Sequence, residues 1–215
     1  MLQSYSVPSA FFRILIGLAG WVALVWQLCL MLTPTKGFGE ILLNFFSYYT
    51  ILTNFLAAFC LSMGLLKPHS RMGAFFNRIS VQTAIAGNIL VVALIYNLIL
   101  AKLWNPQGAQ WVVDFSLHTA IPIMYILYWV FFVPKGTLTF RSPLPWLLFP
   151  LVYLLYSLVR GANTGWYPYP FVDAGNLGYG KVALNSLIML GVFLFIFYLF
   201  ILIDRWFGGK TIKHG

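Results

Sequence analysis

Six long stretches in which apolar residues run almost unbroken, joined by short polar links, dominate this chain. Each is about 20 residues long, the length at which an α-helix crosses a bilayer. They fall near 11–33, 42–65, 80–102, 111–133, 145–161 and 181–203. The pattern predicts an all-α integral membrane protein in which residues 1–215 form one bundle of six transmembrane helices. The links are too short to hold a soluble domain between the helices.

The polar interruptions of these stretches carry more information than the stretches themselves. In the second, Ser47, Thr50 and Asn54 stand at i, i+3 and i+7. An unbroken helix lines them up on one face with Thr53 beside them. Lipid offers such a face no partner, so it is expected to point into the protein or a wet cavity. In the third stretch Asn88 and Asn97 accompany the small residues Ala84, Ala86 and Gly87, and in the first Gly17 and Gly20 permit close helix contact. The fourth holds Asp114, His118 and Pro122. Pro122 has no N–H for the carbonyl of His118 four residues back, which predicts a bend at that turn. The fifth ends in Tyr153, Tyr156, Ser157 and Arg160, and the sixth carries Asn185 and Ser186 near its start. Between them the run Trp166-Tyr167-Pro168-Tyr169-Pro170-Phe171 predicts an ordered, extended lid, because proline restricts itself and the residue before it.

Composition agrees with a membrane location: 61% of residues are hydrophobic and 8% charged, against about one-quarter charged in soluble domains. The net charge of +9 raises nucleic acid as a partner, but the basic residues sit between apolar stretches and not along a helix face, so none is expected. They read instead as topology signals. Arg13, Lys67, Arg71, Arg78, Lys135, Arg141, Arg205, Lys210 and Lys213 fall on one side, and Lys36, Lys102, Arg160 and Lys181 on the other. The richer side is expected to be cytoplasmic, with both termini inside. Cys29 and Cys60 lie in apolar runs without metal or redox spacing, so both are expected to be buried structural thiols. Nothing in the pattern calls for a metal or a cofactor.

At about 1.5 Å per helical residue, Thr50 and His118 lie at a common depth, roughly 12 and 10 Å below the outer ends of their segments. Asn97, Tyr156, Arg160 and Asn185 fall in the same outer half by the same count, whereas the inner half has few polar groups. A polar pocket facing outward, or toward the outer leaflet, is the expectation. Asp114 and His118, spaced i, i+4, place a carboxylate beside an imidazole, where it fixes the tautomer and leaves the other nitrogen as a base. Thr50 fits the nucleophile, with Thr53 the competing choice, and Asn54 or Asn97 the donor to a developing oxyanion. Arg160 fits either a substrate carboxylate or snorkelling to the interface. Two non-catalytic readings of the same residues are a solute or lipid transporter, and a membrane partner protein in which stripe and histidine join helices.

Three blocks in order resemble a known family: Tyr48-Tyr49-Thr50 followed by Ile-Leu-Thr-Asn, His118-Thr119-Ala-Ile-Pro122, and Trp166 to Phe171. The chain is similar to the androgen-induced and androgen-dependent membrane threonine hydrolases, and more so to their bacterial six-helix relatives. That resemblance implies hydrolysis of fatty acid esters of hydroxy fatty acids, or similar lipid esters, with Thr50 as nucleophile and His118 as base. It also implies a lid over the site, with Trp166 and Tyr169 joining Tyr156, Arg160 and Asn185 around the substrate. Asp114 departs from the animal members' pattern, so its orienting role comes from spacing alone. The expected setting is a bacterial inner membrane, with membrane lipids and a lipid ester as partners.

Overall fold

The computed structural model describes residues 6–211, with side chains to residue 208. It contains α1 (Val7–Met31), α2 (Phe38–Phe45), α3 (Tyr49–Leu66), α4 (Arg71–Phe76) and α5 (Ile79–Leu98). There follow α6 (Ala109–Phe115), a π turn (Ser116–Ala120), α7 (Ile121–Phe132) and α8 (Pro143–Trp146). The chain continues with α9 (Leu148–Thr164), α10 (Ala174–Leu177) and α11 (Tyr179–Thr211). Among the described residues, six stretches are long and apolar enough to cross a membrane: Val7–Met31, Tyr49–Leu66, Ile79–Lys102, Ala109–Phe132, Pro143–Thr164 and Tyr179–Gly208. This is an all-α, six-span membrane architecture.

Its centre is the four helices α1, α3, α5 and α7, with α11 laid against α5. Trp129, Tyr125, Tyr128, Leu61, Ile89 and Phe197 are among its fully buried side chains. The expected small-residue contact is present: a Cβ on Gly20 would lie 3.0 Å from the Cβ of Ala58, so α1 and α3 approach at a distance that suits glycine. By contrast, the principal backbone approaches of α9 are to α8, α10 and the Pro170–Val172 turn. Leu18, Val22, Leu155, Leu187 and Phe195 lie on the outside, more than half exposed, as an apolar belt suited to lipid. Cys60 is buried as expected, but Cys29 is exposed on that belt, because apolar sequence in a membrane helix says nothing about which face a residue takes.

Two expectations are corrected. The 42–65 stretch is two helices, not one. α2 ends at Phe45, Tyr48 is extended (φ −88°, ψ 126°), and a new helix begins at Tyr49. No Pro or Gly marks the break; partners from α9 hold it, with Tyr153 Oη donating to Ser47 O at 2.9 Å and Arg160 donating to Ser47 Oγ. Ser47 therefore leaves the face on which Thr50 and Asn54 lie. Nor is the opposite half of the bundle poor in polar groups. Arg13, read as a topology charge, is 3% exposed and donates to Tyr128 Oη (2.7 Å), Asn77 Oδ1 (3.0 Å) and Gln82 Oε1 (3.3 Å).

At that end Lys135 closes α7, donating to Trp129 O at 2.6 Å and to Val133 O. Burial lowers its ammonium pKa from 10.5 to about 8, against the opposing pull of the Asp204 carboxylate. The unfolded chain then holds the proton more tightly, so this group makes stability rise as pH goes from about 8 to 10.5. Melting of wild type and Lys135→Met in detergent across that window is expected to show the rise in wild type alone.

Candidate active site

Thr50 is the second residue of α3, in its first turn. Tyr48 supplies no side-chain cap, and Thr50 N–H, which has no intrahelical acceptor, donates instead to Tyr169 Oη at 3.4 Å. The helix dipole favours negative charge at this point. His118 lies in the π turn, where Ile121 N–H bonds to Ser116 O five residues back. The predicted bend thus takes the form of a widened turn, a common device at functional sites. With no N–H at Pro122, the carbonyls of Leu117 and His118 need other donors. Asn54 Nδ2 reaches Leu117 O at 3.0 Å, and Asn97 Nδ2 reaches His118 O at 3.3 Å.

These placements bring Thr50 Oγ1 to 3.2 Å from His118 Nε2. On the far side of the ring, Nδ1 lies 2.9 Å from Asp114 O and 3.3 Å from Asp114 Oδ1. A carbonyl oxygen only accepts, so Nδ1 carries the proton and Nε2 presents its lone pair to the threonine hydroxyl. Tyr96 covers the imidazole, its ring centroid 3.7 Å away and its plane tilted by 15°. Its hydroxyl donates to Asp114 Oδ2, so one tyrosine orients both members of the pair. Tyr96 was not legible as a site residue, because a tyrosine near a helix end reads first as an interface anchor.

The lid is present but only partly extended. Gly165, at φ +70°, ends α9 in the left-handed conformation that favours glycine. The lid continues into the Pro170–Val172 turn and α10. Tyr169 reaches down from it, its hydroxyl 3.4 Å from Thr50 N and 3.5 Å from Thr50 Oγ1. Burial raises the pKa of this hydroxyl above the ordinary tyrosine value, so it stays a donor. Tyr48 meets both Trp166 and Tyr169 edge to face.

Several expected roles change. Asn54 Nδ2 is divided between Thr50 O and Leu117 O, and Asn97 Nδ2 among Ala93 O, His118 O and Thr119 Oγ1. Both brace the π turn and neither offers a free donor to an oxyanion. Thr53 is buried one turn along α3, and the hydroxyl that meets His118 is that of Thr50. Asn185 holds the lid, donating to Phe171 O at 2.9 Å. Arg160 donates to Ser47 Oγ and Asn44 Oδ1 and lies 4.3 Å from the Trp166 ring centroid, while Tyr156 Oη is 2.7 Å from Ser47 Oγ. These residues form a separate polar clasp between α2, α9 and the lid.

Two clefts meet at Tyr96 in place of the single polar pocket expected. One is almost wholly apolar and runs from Thr50 and Tyr169 between α5, α9 and α11. The other is more polar and is lined by Asn97, Asn105, Asp114 and Thr119 among others. The arrangement joins a hydroxyl, an imidazole whose Nε2 faces it, a carboxylate and a helix N-terminus whose Thr50 N–H meets Tyr169 Oη, with an apolar cleft on one side and a polar one on the other. Comparison with family models, with curated proteins and with solved structures finds no match to this chain.

Proposed function

We propose that the chain is an intramembrane lipid-ester hydrolase with Thr50 as nucleophile and His118 as base. The observation that carries this reading is the 3.2 Å approach of Thr50 Oγ1 to His118 Nε2, with the other ring nitrogen committed to Asp114 O. A threonine hydroxyl is a poor nucleophile until a base takes its proton, and this geometry supplies the base.

The steps follow from the atoms present. Thr50 Oγ attacks the ester carbonyl carbon as its proton passes to His118 Nε2. The carbonyl oxygen becomes an oxyanion, which in this proposal takes the place of Tyr169 Oη as acceptor of Thr50 N–H and receives the Tyr169 hydroxyl proton as a second hydrogen bond. Collapse breaks the carbon–oxygen bond to the alcohol, and the imidazolium returns its proton to that leaving oxygen. A water then attacks the acyl-threonine, giving its proton to His118, and the acid leaves as Thr50 regains its hydrogen. Asp114 steadies the imidazolium in both halves. The polar cleft beyond Tyr96 suits the water and the departing alcohol.

In this proposal the substrates are fatty acid esters of hydroxy fatty acids or kindred acyl esters, as the resemblance of the three blocks implies. They enter from the bilayer, and the site faces the outer leaflet of a bacterial inner membrane, as the basic-residue asymmetry implies. Labelling with a fluorophosphonate, followed by intact mass, tests the reading. Wild type and Thr53→Ala are expected to gain one adduct that Thr50→Ala and His118→Ala do not. Equal labelling of all folded variants, or none together with no ester turnover, returns Thr50 and His118 to a role in joining helices.

A further inference from the structure

The apolar cleft is far more hydrocarbon-like than an ester group needs, and its boundaries are specific. At its mouth stand Thr50, Tyr96 and Tyr169. At its other end lies Phe193, 7% exposed, and behind it an aromatic layer seals the bundle. Phe193 meets Phe197 at 5.9 Å between centroids, and Phe197 meets Trp146 edge to face at 5.4 Å. Neither Phe197 nor Trp146 lines the cleft, and Phe193 is the last residue of α11 to reach it. The side walls come from α5, α9 and α11.

The depth of this space follows from α11. Ser186 lines it near the mouth and Phe193 at the floor, and seven residues of α-helix span about 10 Å. With carbon–carbon bonds of about 1.5 Å, an extended hydrocarbon advances roughly 1.3 Å per carbon, so about eight carbons fill that depth. A chain seated in this way puts its carboxyl carbon at Thr50 and its methyl end on Phe193. The polar cleft, on the other side of Tyr96, offers no comparable hydrocarbon lining.

We propose that this cleft is a measuring site for one acyl chain of about eight carbons, held tail-down on Phe193 with its carbonyl at Thr50. The position of the carbonyl rests on the hydrolase reading, whereas binding of the chain does not. Because hydrocarbon in the cleft and in lipid are nearly equivalent, length selection comes from the floor. Shorter chains leave space unfilled, and longer ones must bend or leave between α9 and α11.

The first arm of the test is photo-crosslinking of the full-length protein in nanodiscs with octanoate carrying a diazirine at carbon 7, read by peptide mass spectrometry. Insertion is expected at Leu147, Leu151 or Phe193, severalfold above insertion on the lipid-facing residues Leu18 and Val22. Leu190→Trp, which fills the cleft from α11, is expected to reduce that insertion roughly tenfold with melting unchanged. Should that variant not fold, Val92→Phe fills the same space from α5. The second arm is turnover of p-nitrophenyl esters from four to sixteen carbons. An optimum near eight is expected, shifting to shorter chains in Leu190→Trp and to longer ones in Phe193→Ala. Insertion no greater in the cleft than on α1, insertion unchanged in both filled variants, or a flat length profile overturns the proposal. Specific insertion in the cleft without turnover of any ester upholds the chain site and removes the hydrolase reading.

Discussion

His118→Ala is expected to lower turnover of an acyl ester by about 10²–10⁴-fold, the range of acid–base catalysis by a positioned side chain. The loss should fall mainly in kcat, because in the proposed mechanism His118 serves proton transfer in the transition state and not the holding of the chain. Asp114→Asn should cost far less. His118 Nδ1 has two acceptors, the Asp114 backbone carbonyl at 2.9 Å and its carboxylate at 3.3 Å, and only the second is changed by the substitution. The tautomer survives, and what is lost is charge stabilisation of the imidazolium. Steady-state kinetics in detergent, with melting curves to establish folding, check both variants. A His118→Ala enzyme with normal kcat refutes the mechanism, and an Asp114→Asn loss as large as that of His118→Ala refutes the backbone's share in fixing the ring.

The sequence disclosed the spans because lipid imposes one simple constraint, about twenty apolar residues per crossing. It also singled out Thr50, His118, Asp114 and Tyr169, which the fold brings together, since polar groups in hydrocarbon need a reason to be there. What it hid was mostly tertiary. The break at Ser47 has no local signal, because Tyr153 and Arg160 hold it from α9. Asn54 and Asn97 read as oxyanion donors because their amides lie near Thr50 and His118 in depth along their helices. They are occupied because Pro122 and the π turn free two carbonyls that must be satisfied. The same break gives Thr50 a position that an unbroken helix denies it, at an N-terminus where the backbone itself can donate. Arg13 shows the opposite error: a charge near a helix start reads as a topology signal, and only the fold reveals that Tyr128, Asn77 and Gln82 surround it.

The largest loss of stability is expected at Trp129→Ala, about 3–5 kcal/mol, the cost of truncating a fully buried large aromatic. Trp129 is 1% exposed, packs edge to face on Phe200 at 4.6 Å between centroids, and donates from Nε1 to Thr83 Oγ1 at 2.8 Å. Removing it opens a void between α5, α7 and α11 that the bundle can only partly close. Little of the cost comes from the hydrogen bond, since the Thr83 hydroxyl keeps its own bond to Ile79 O at 2.8 Å. Trp129→Phe, which retains most of the volume, should therefore cost about 1 kcal/mol. Trp129 and His118 share one span but lie eleven residues apart, three turns along the helix. The protein that remains folded in Trp129→Ala should keep the chemistry at Thr50 unaltered, with a wild-type fluorophosphonate labelling rate per folded molecule. His118→Ala should show the reverse, with labelling gone and melting nearly unchanged. A Trp129→Ala protein that melts normally would mean the bundle repacks freely at that end. One that melts early and also labels slowly would mean the two ends of the bundle are coupled through α7 instead of serving stability and chemistry separately.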